Sequence, residues 1–569
     1  YFQFAANDSE FDRLNSLNPN APALTIPTEV RGAANPGSVE DAFRRGIEPL
    51  EYANLTRLIG GTRATSRDQR PLKTFTNANR SDQRYVFGGT YDFKLGDKDW
   101  VLDASYTASQ HSTANTQVQD TLSSHMELAI NGLGGPNCDV VNGVPGSGNT
   151  SYSTSGGDFD AGTCYFFNPF GNSEFDRDGN VGQTNLELRN PPELYNWLAG
   201  RASNDNDFRQ RVIDIVAAGD LIEIGSGPIG LAVGFQQRRD KAEALFDSAV
   251  NTDNLDFAFG ARDWNGTLTT NAIFAEVAIP IGERFDVNIA VRYEDFDELD
   301  ADSTDPKITL LWRPIDSLSL RASGGSSFRV PSLLQSYGNL TTVANQVDVV
   351  GGTAFKPSIT KGNPELTPES ADNFNIGLSW VPTDGFLDGF QIDIDYFDYD
   401  YTDIITREST ANIMSADNAA LAAYVANNPG ASFIDAVDAG VGNREQVIRN
   451  GQAIMVRVLP NFSNANGADI SGIDLNSSYS FDTGFGDWRV GLQVAWIETY
   501  EVEIPVSGGG SRTIDGVGNY NSTNPVARPL PEFKVNGTLN WAMGSHRAFL
   551  IAKYVDEIDT DVPAGTRGF

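Results

Sequence analysis

FDVNIAVRYED, residues 285–295, alternates strictly between apolar and polar positions. Phe285, Val287, Ile289, Val291 and Tyr293 fall on one side of an extended chain. Asp286, Asn288, Ala290, Arg292 and Glu294 fall on the other. Successive side chains of a strand point to opposite faces, so the segment reads as a strand with one apolar and one polar face. The same period returns in WVLDASYT from Trp100, LAVGFQ from Leu231, LSLRAS from Leu318, FNIGLSW from Phe374, GIDLNSSYSF from Gly472 and WRVGLQVAW from Trp488. The apolar faces carry aromatics at their ends, among them Tyr293, Trp380, Trp488, Trp496 and Trp541. The polar faces carry charge along their length at Asp286, Arg292, Arg321, Asp393, Asp395 and Arg489. A soluble sandwich alternates too, but its inner faces pack a dry core. Charge along a whole face suits a wet lumen, and aromatic ends suit the two interfacial girdles of a membrane barrel.

Working outward, short turns separate these strands in pairs: residues 95–99, 225–230, 280–284, 313–317, 382–389, 482–487 and 543–546. Long polar connections lie between the pairs, the longest at about 8–80, 108–219, 324–370 and 402–470. Outer-membrane barrels have short periplasmic turns and long extracellular loops. The expected fold is therefore all-β, a transmembrane antiparallel β-barrel. Seven hairpins and a further strand end at YFQF give about 14–15 strands, each of about 9–11 membrane-crossing residues. NAALAAYVANNP, near Ala419, reads as helical structure on the rim.

Composition agrees with this and excludes other classes. The chain has 569 residues and a formal charge of −34, which leaves no basic footprint for a nucleic acid. Acidic loops facing outward can hold divalent cations or attract cationic solutes; the plain alternative is a solvated acidic surface. No run of 18 apolar residues provides a transmembrane helix. YFQFAANDSE has no basic segment followed by an apolar core, so it is no signal peptide; a leader has been removed or the chain begins inside a longer protein. The two cysteines, Cys138 and Cys164, share one Gly/Asn/Ser-rich loop, and a disulfide between them is expected in an oxidising compartment.

Several motifs are decoys. GSGPIG places Gly225, Gly227 and Gly230 as a dinucleotide fingerprint would, but a strand follows where that motif needs a helix. DRDGNVGQTNLE sets Asp176, Asp178, Asn180 and Glu187 at the spacing of a calcium loop. Val181 stands where such a loop needs glycine, so an ordinary acidic loop is favoured and a loose loop-bound Ca²⁺ is the alternative. Three scattered histidines and the lack of HExxH, GxSxG or CxxC leave no catalytic constellation, and the chain is not expected to be an enzyme.

Two stretches carry a family resemblance. SSFRVPSLLQSYG, from Ser326, resembles the segment that ends an upward strand in TonB-dependent receptors, with Phe328, Arg329 and Pro331. GNPELTPESADNFNIGLSW, from Gly362, is similar to that family's "GNPxLxPExSxNxxxGL" segment, where a loop re-enters the wall. It supplies Gly362, Asn363, Pro364, Leu366, Pro368, Glu369 and Ser370, with the strand expected to begin near Asn373. RPLPEFKVNGTLNWAMGSHRAFLIAKYVDE resembles the late strands. The resemblance covers residues 260–400 and 470–556 well.

It implies a 22-stranded barrel closed by an N-terminal plug. It also implies import of a scarce solute (siderophore, vitamin, oligosaccharide or peptide) with energy from the TonB complex and no cofactor. On that pattern residues 1–569 run from about the fifth strand to the nineteenth, incomplete at both ends and without the plug. The plug and missing strands are then expected from the same or another polypeptide, since open edges in lipid leave unpaired backbone groups. A passive porin-like channel and a surface-exposed structural or adhesive barrel are the alternatives. Loop acidity points to a neutral or cationic nutrient over a highly anionic one.

Overall fold

The computed structural model describes residues 1–14, 24–27, 52–55, 75–147, 163–167, 194, 197–255, 260–299, 301–464, 467–505, 511–520 and 529–560. A single 16-stranded sheet dominates. Strand β1 (Phe2–Leu14) lies beside β2 (Phe75–Leu95), which turns into β3 (Lys98–Thr121). Hairpins follow: β4 (Ala199–Ile224) with β5 (Gly227–Phe246), β6 (Trp264–Ile281) with β7 (Phe285–Phe296), and β8 (Ala301–Ile315) with β9 (Leu318–Arg329). Three more complete the series: β10 (Glu369–Trp380) with β11 (Phe390–Thr402), β12 (Gly467–Thr483) with β13 (Gly486–Pro505), and β14 (Phe533–Met543) with β15 (His546–Val555). Each wall strand pairs antiparallel with its neighbours in chain order, and a short strand, Ser511–Asp515, adds to β13 alone.

All seven expected short turns lie at one end of this sheet. The stretch around Gly225 is one of them: β4 ends at Ile224, β5 begins at Gly227, and Gly227 takes a φ of 125° that a side chain would strain. Three expectations need correction. Wall strands are 10 to 26 residues long, because their ladders continue well past the apolar band. The long connections are correspondingly shorter, β3 reaching Thr121 and β4 starting at Ala199. At the long-loop end, β7 and β8 are joined by residues 297–300 alone, so the loop asymmetry is not uniform.

Register makes the alternation two-dimensional. Ile281 pairs with Phe285 and Phe285 with Trp312; Val277 pairs with Ile289 and Ile289 with Ile308. This apolar face is the exposed one, with Ile273 at 58% and Ile289 at 46%. A soluble protein would bury it. Aromatic rings edge it at the short-turn end, where Trp380, Phe390, Tyr479, Phe481, Trp488 and Trp541 touch in sequence with centroids 5.0–6.5 Å apart. Trp496 stacks on Phe533 at the other edge (6.0 Å). Eight residues separate Trp488 from Trp496, about 26 Å along a strand. A tilt of about 40° brings that to roughly 20 Å, close to the height of an outer-membrane apolar band.

The opposite face is polar and cross-linked. Asn288 Nδ2 donates to Glu276 (2.6 Å), Arg292 Nη2 to Gln236 (3.0 Å), Arg313 Nη1 to Asp286 (2.7 Å) and Arg321 Nε to Asp395 (2.8 Å). The loops fold onto this face: the short helix Leu333–Tyr337 packs with Leu268, Phe296 and Phe328.

Candidate functional site

The long connections build the only elaborate structure beyond the wall among the described residues, and two of them merge. The strands Asn339–Asp348 and Gly352–Lys361 lie between β9 and β10. They form one four-stranded sheet with Met455–Val458 and Val447–Arg449, which lie between β11 and β12. Helix Thr410–Asn427, begun by Ser409 and covering the expected helical stretch, closes over it around Ile413, Met414, Val447, Met455 and Val458. At the centre of this cap, Arg449 Nη1 bonds Asp348 (2.8 Å) and Arg449 Nη2 bonds Asp417 (2.6 Å), all three side chains almost fully buried. Burial alone would raise the Asp348 carboxyl. The Met455 N–H, the Arg449 hydrogen bond and the Arg449 charge outweigh it and hold the group below the usual carboxylate range. Sequence gave no sign of this triad, whose members lie 101 and 32 residues apart.

The family-like motif residues fasten the cap to the wall. Arg329 ends β9 and grips Glu369, the first residue of β10, through two bonds of 2.5 and 2.6 Å. Glu369 Oε1 also accepts the Ile405 N–H (2.6 Å), so one carboxylate joins three segments. This pair starts β10 at Glu369, earlier than the expected Asn373. Ser370 and Thr402 join hydroxyl to hydroxyl at 2.6 Å. Asn363 and Pro364 open a β-turn that the Leu366 N–H closes onto the Asn363 carbonyl (3.4 Å), and Pro368 leads out into β10. Leu366 is buried with Ile405 and Phe462. Gly362 is required by close backbone approach: a Cβ there would sit 2.7 Å from the Tyr337 nitrogen. Phe328 packs edge-on to Phe296 (5.5 Å), and buried Pro331 precedes the capping box Ser332–Gln335.

Removing the Glu369 carboxylate strands both Arg329 and the Ile405 amide. Because Arg329 is half exposed, Glu369→Ala is expected to cost only about 1–2 kcal/mol locally. Hydrogen exchange at Ile405 reads this as a rise of roughly 10-fold; unchanged exchange would show that the carboxylate is not the fastener.

Cys138 and Cys164 form the expected disulfide, with Cα atoms 4.6 Å apart, beside a small core of Met126, Ala129, Ile130, Tyr165 and Phe167. The calcium-loop candidates Asp176, Asp178, Asn180 and Glu187 lie outside the described residues. Among the described residues no group of three or more His, Cys, Asp or Glu is placed to hold a metal ion.

The family described as TonB dependent receptor-like, beta-barrel, has a model that matches residues 29–566, nearly the whole wall and its loops. The chain belongs to this family. TonB-dependent receptors are outer-membrane proteins, and strands rather than helices would carry this chain across: no helix among its described residues is long and apolar enough to span. Among solved structures, the siderophore receptor PirA from Acinetobacter baumannii is similar at 11% identity, with 85% of this chain and 64% of that one covered and a TM-score of 0.37. PirA from Pseudomonas aeruginosa gives 12%, 85%, 66% and 0.37. The RagAB peptide transporter gives 9%, 85%, 48% and 0.44. This receptor-family chain thus spans less than two thirds of the length of each. No curated protein matches it.

Proposed function

We propose that the chain forms the wall and outer mouth of an active transporter that imports a scarce solute across the outer membrane, energised through the TonB complex. The observation that carries this reading is the inverted wall: an exposed apolar band on one face, an ion-paired polar face on the other, and a built cap at the long-loop end. On this reading the apolar face meets lipid and the polar face lines the lumen. The short turns are periplasmic and the cap is extracellular. Among the described residues β1 and β15 each have one wall neighbour, and on this reading a plug and further strands, from the same or another polypeptide, close the lumen. The chain performs no covalent chemistry and needs no cofactor. The solute belongs to the siderophore, vitamin, oligosaccharide or peptide classes. Loop acidity favours a neutral or cationic member, such as an oligosaccharide or peptide, because an anion would meet repulsion at the mouth.

Uptake in cells producing the native protein tests this. Candidate solutes of each class are supplied at limiting concentration, with TonB present or deleted. Accumulation that stops when TonB or the proton-motive force is removed is the expected result. Flux that continues unchanged would make the protein a passive channel, and binding without uptake would make it an adhesive surface barrel.

A further inference from the structure

Beneath the cap, the polar face of β11 carries a column of rings. Phe397, Tyr399 and Tyr401 follow one another on that face, with centroids 5.9 and 6.2 Å apart. The column starts just above the apolar band, since Tyr396 lies in register with Ile473 and Trp496 at the band's upper edge. Tyr401 packs with Ala468, Val502 and Ile514. Phe397 and Tyr399 lie lower, join no buried cluster among the described residues and stay half-buried. Gly472, opposite Phe397, gives that ring room to lean across β12: a Cβ there would lie 2.8 Å from its Cζ. Rings turned toward water add little to the wall's own stability, but they offer a flat apolar surface to a ligand.

The polar groups around these rings are unspent. On β4, β5 and β7 the polar face satisfies itself: Gln210 donates to Asp240 (3.0 Å), Gln236 to Asp214 (2.6 Å) and Arg292 to Gln236 (3.0 Å). The panel from β10 to β13 does not. Asn373 lies opposite Tyr399 and Asn375 opposite Phe397. Asp474 lies opposite Asp395. The side chains of Asn373, Asn375 and Asp474 have no hydrogen-bond or ion-pair partner among the described residues, and neither does the Tyr399 hydroxyl. Amides both donate and accept, and a carboxylate accepts twice over, which suits a ligand rich in hydroxyls. An anionic solute would meet repulsion here, because Arg321 is already held by Asp395 (2.8 Å). A peptide read through its main chain needs a free strand edge, and each of β10 to β13 is paired on both sides.

We infer that Phe397 and Tyr399, with Asn373, Asn375 and Asp474 beside them, form a binding site for a neutral oligosaccharide on the inner wall of the mouth. The C–H faces of its sugar rings pack on the aromatic column, and its hydroxyls bridge the amides and the carboxylate. The site rests on the transport reading for its position in the lumen, and the test separates the two.

The native polypeptide, in a detergent without a sugar headgroup, is screened against an array of neutral oligosaccharides, uronate-containing oligosaccharides and short lysine-rich peptides. The neutral glycans are expected to bind best, and the tightest of them is then titrated by calorimetry. Tyr399→Ala weakens that binding by roughly 10-fold, through loss of the stacking surface. Tyr399→Phe, which keeps the ring, stays within about 3-fold. Asn373→Ala with Asn375→Ala also weakens it by roughly 10-fold and carries the comparison should Tyr399→Ala not insert. The same glycan is supplied to cells with TonB present or deleted. No binding of neutral glycans, tighter binding of the uronates or the lysine peptides, or affinity unchanged in the variants overturns the site, while TonB-dependent import of another solute stands. Glycan binding lost in the variants but without TonB-dependent uptake keeps the site and sinks the transport reading.

Discussion

Replacing Arg449 with alanine is expected to unfold the cap while leaving the wall in place. The guanidinium is 6% exposed, and its partners Asp348 and Asp417 are 3% and 2% exposed. Without it Asp348 and Asp417 lose the cation that bridges them, a loss of about 3–5 kcal/mol. The segments it joins come from two different connections, so the sheet of Asn339–Asp348, Gly352–Lys361, Val447–Arg449 and Met455–Val458 loses its common centre. Hydrogen exchange should rise throughout residues 339–361 and 410–458, with wall amides still protected. Removing all three charges together, as Arg449→Met with Asp348→Asn and Asp417→Asn, is expected to be milder than Arg449→Ala alone, because no uncompensated charge is left inside. Cap protection that survives Arg449→Ala would show that the apolar cluster around Met414 and Met455 suffices. The triad also sets a pH limit. The folded Asp348 value is depressed, so its contribution is present above the unfolded value of about 3.9 and is lost as the pH falls through the lower folded one. The cap should therefore loosen as the pH falls below the usual carboxylate range.

The wall was legible because its information is local. Alternation in FDVNIAVRYED assigns every side chain to a face, and a turn such as residues 225–226 is announced by its glycines. The disulfide was legible for the same reason, both cysteines lying in one loop. Strand length was not, since a ladder continues wherever its partner does: β3 and β4 pair as far as Thr121 and Ala199, through polar residues that alternate without an apolar face. The motif residues were recognisable as a pattern, but the work of Glu369 depends on Ile405, 36 residues away on another connection. The Arg449 triad lay deeper still, because a buried ion pair leaves no periodicity behind.

The second large effect concerns the wall itself. Ile289 sits midway along the apolar face of β7, between Phe285 at the short-turn end and Tyr293 at the other, with Val277 and Ile308 as its cross-strand neighbours. Asn288, one residue earlier, faces the polar side and donates to Glu276. If the exposed apolar face meets lipid, an arginine at Ile289 must be placed near the middle of the hydrocarbon, at about 2–4 kcal/mol. An arginine at Asn288 enters a wet face next to a carboxylate and should change stability by less than about 1 kcal/mol. The direct measurement is guanidinium unfolding of the native polypeptide reconstituted into phospholipid vesicles, comparing Ile289→Arg with Asn288→Arg. A clear loss at Ile289 and near-neutrality at Asn288 is the predicted result. Equal effects at the two positions, or the larger loss at Asn288, would mean that the apolar face is not the lipid face and that the chain is not a membrane wall.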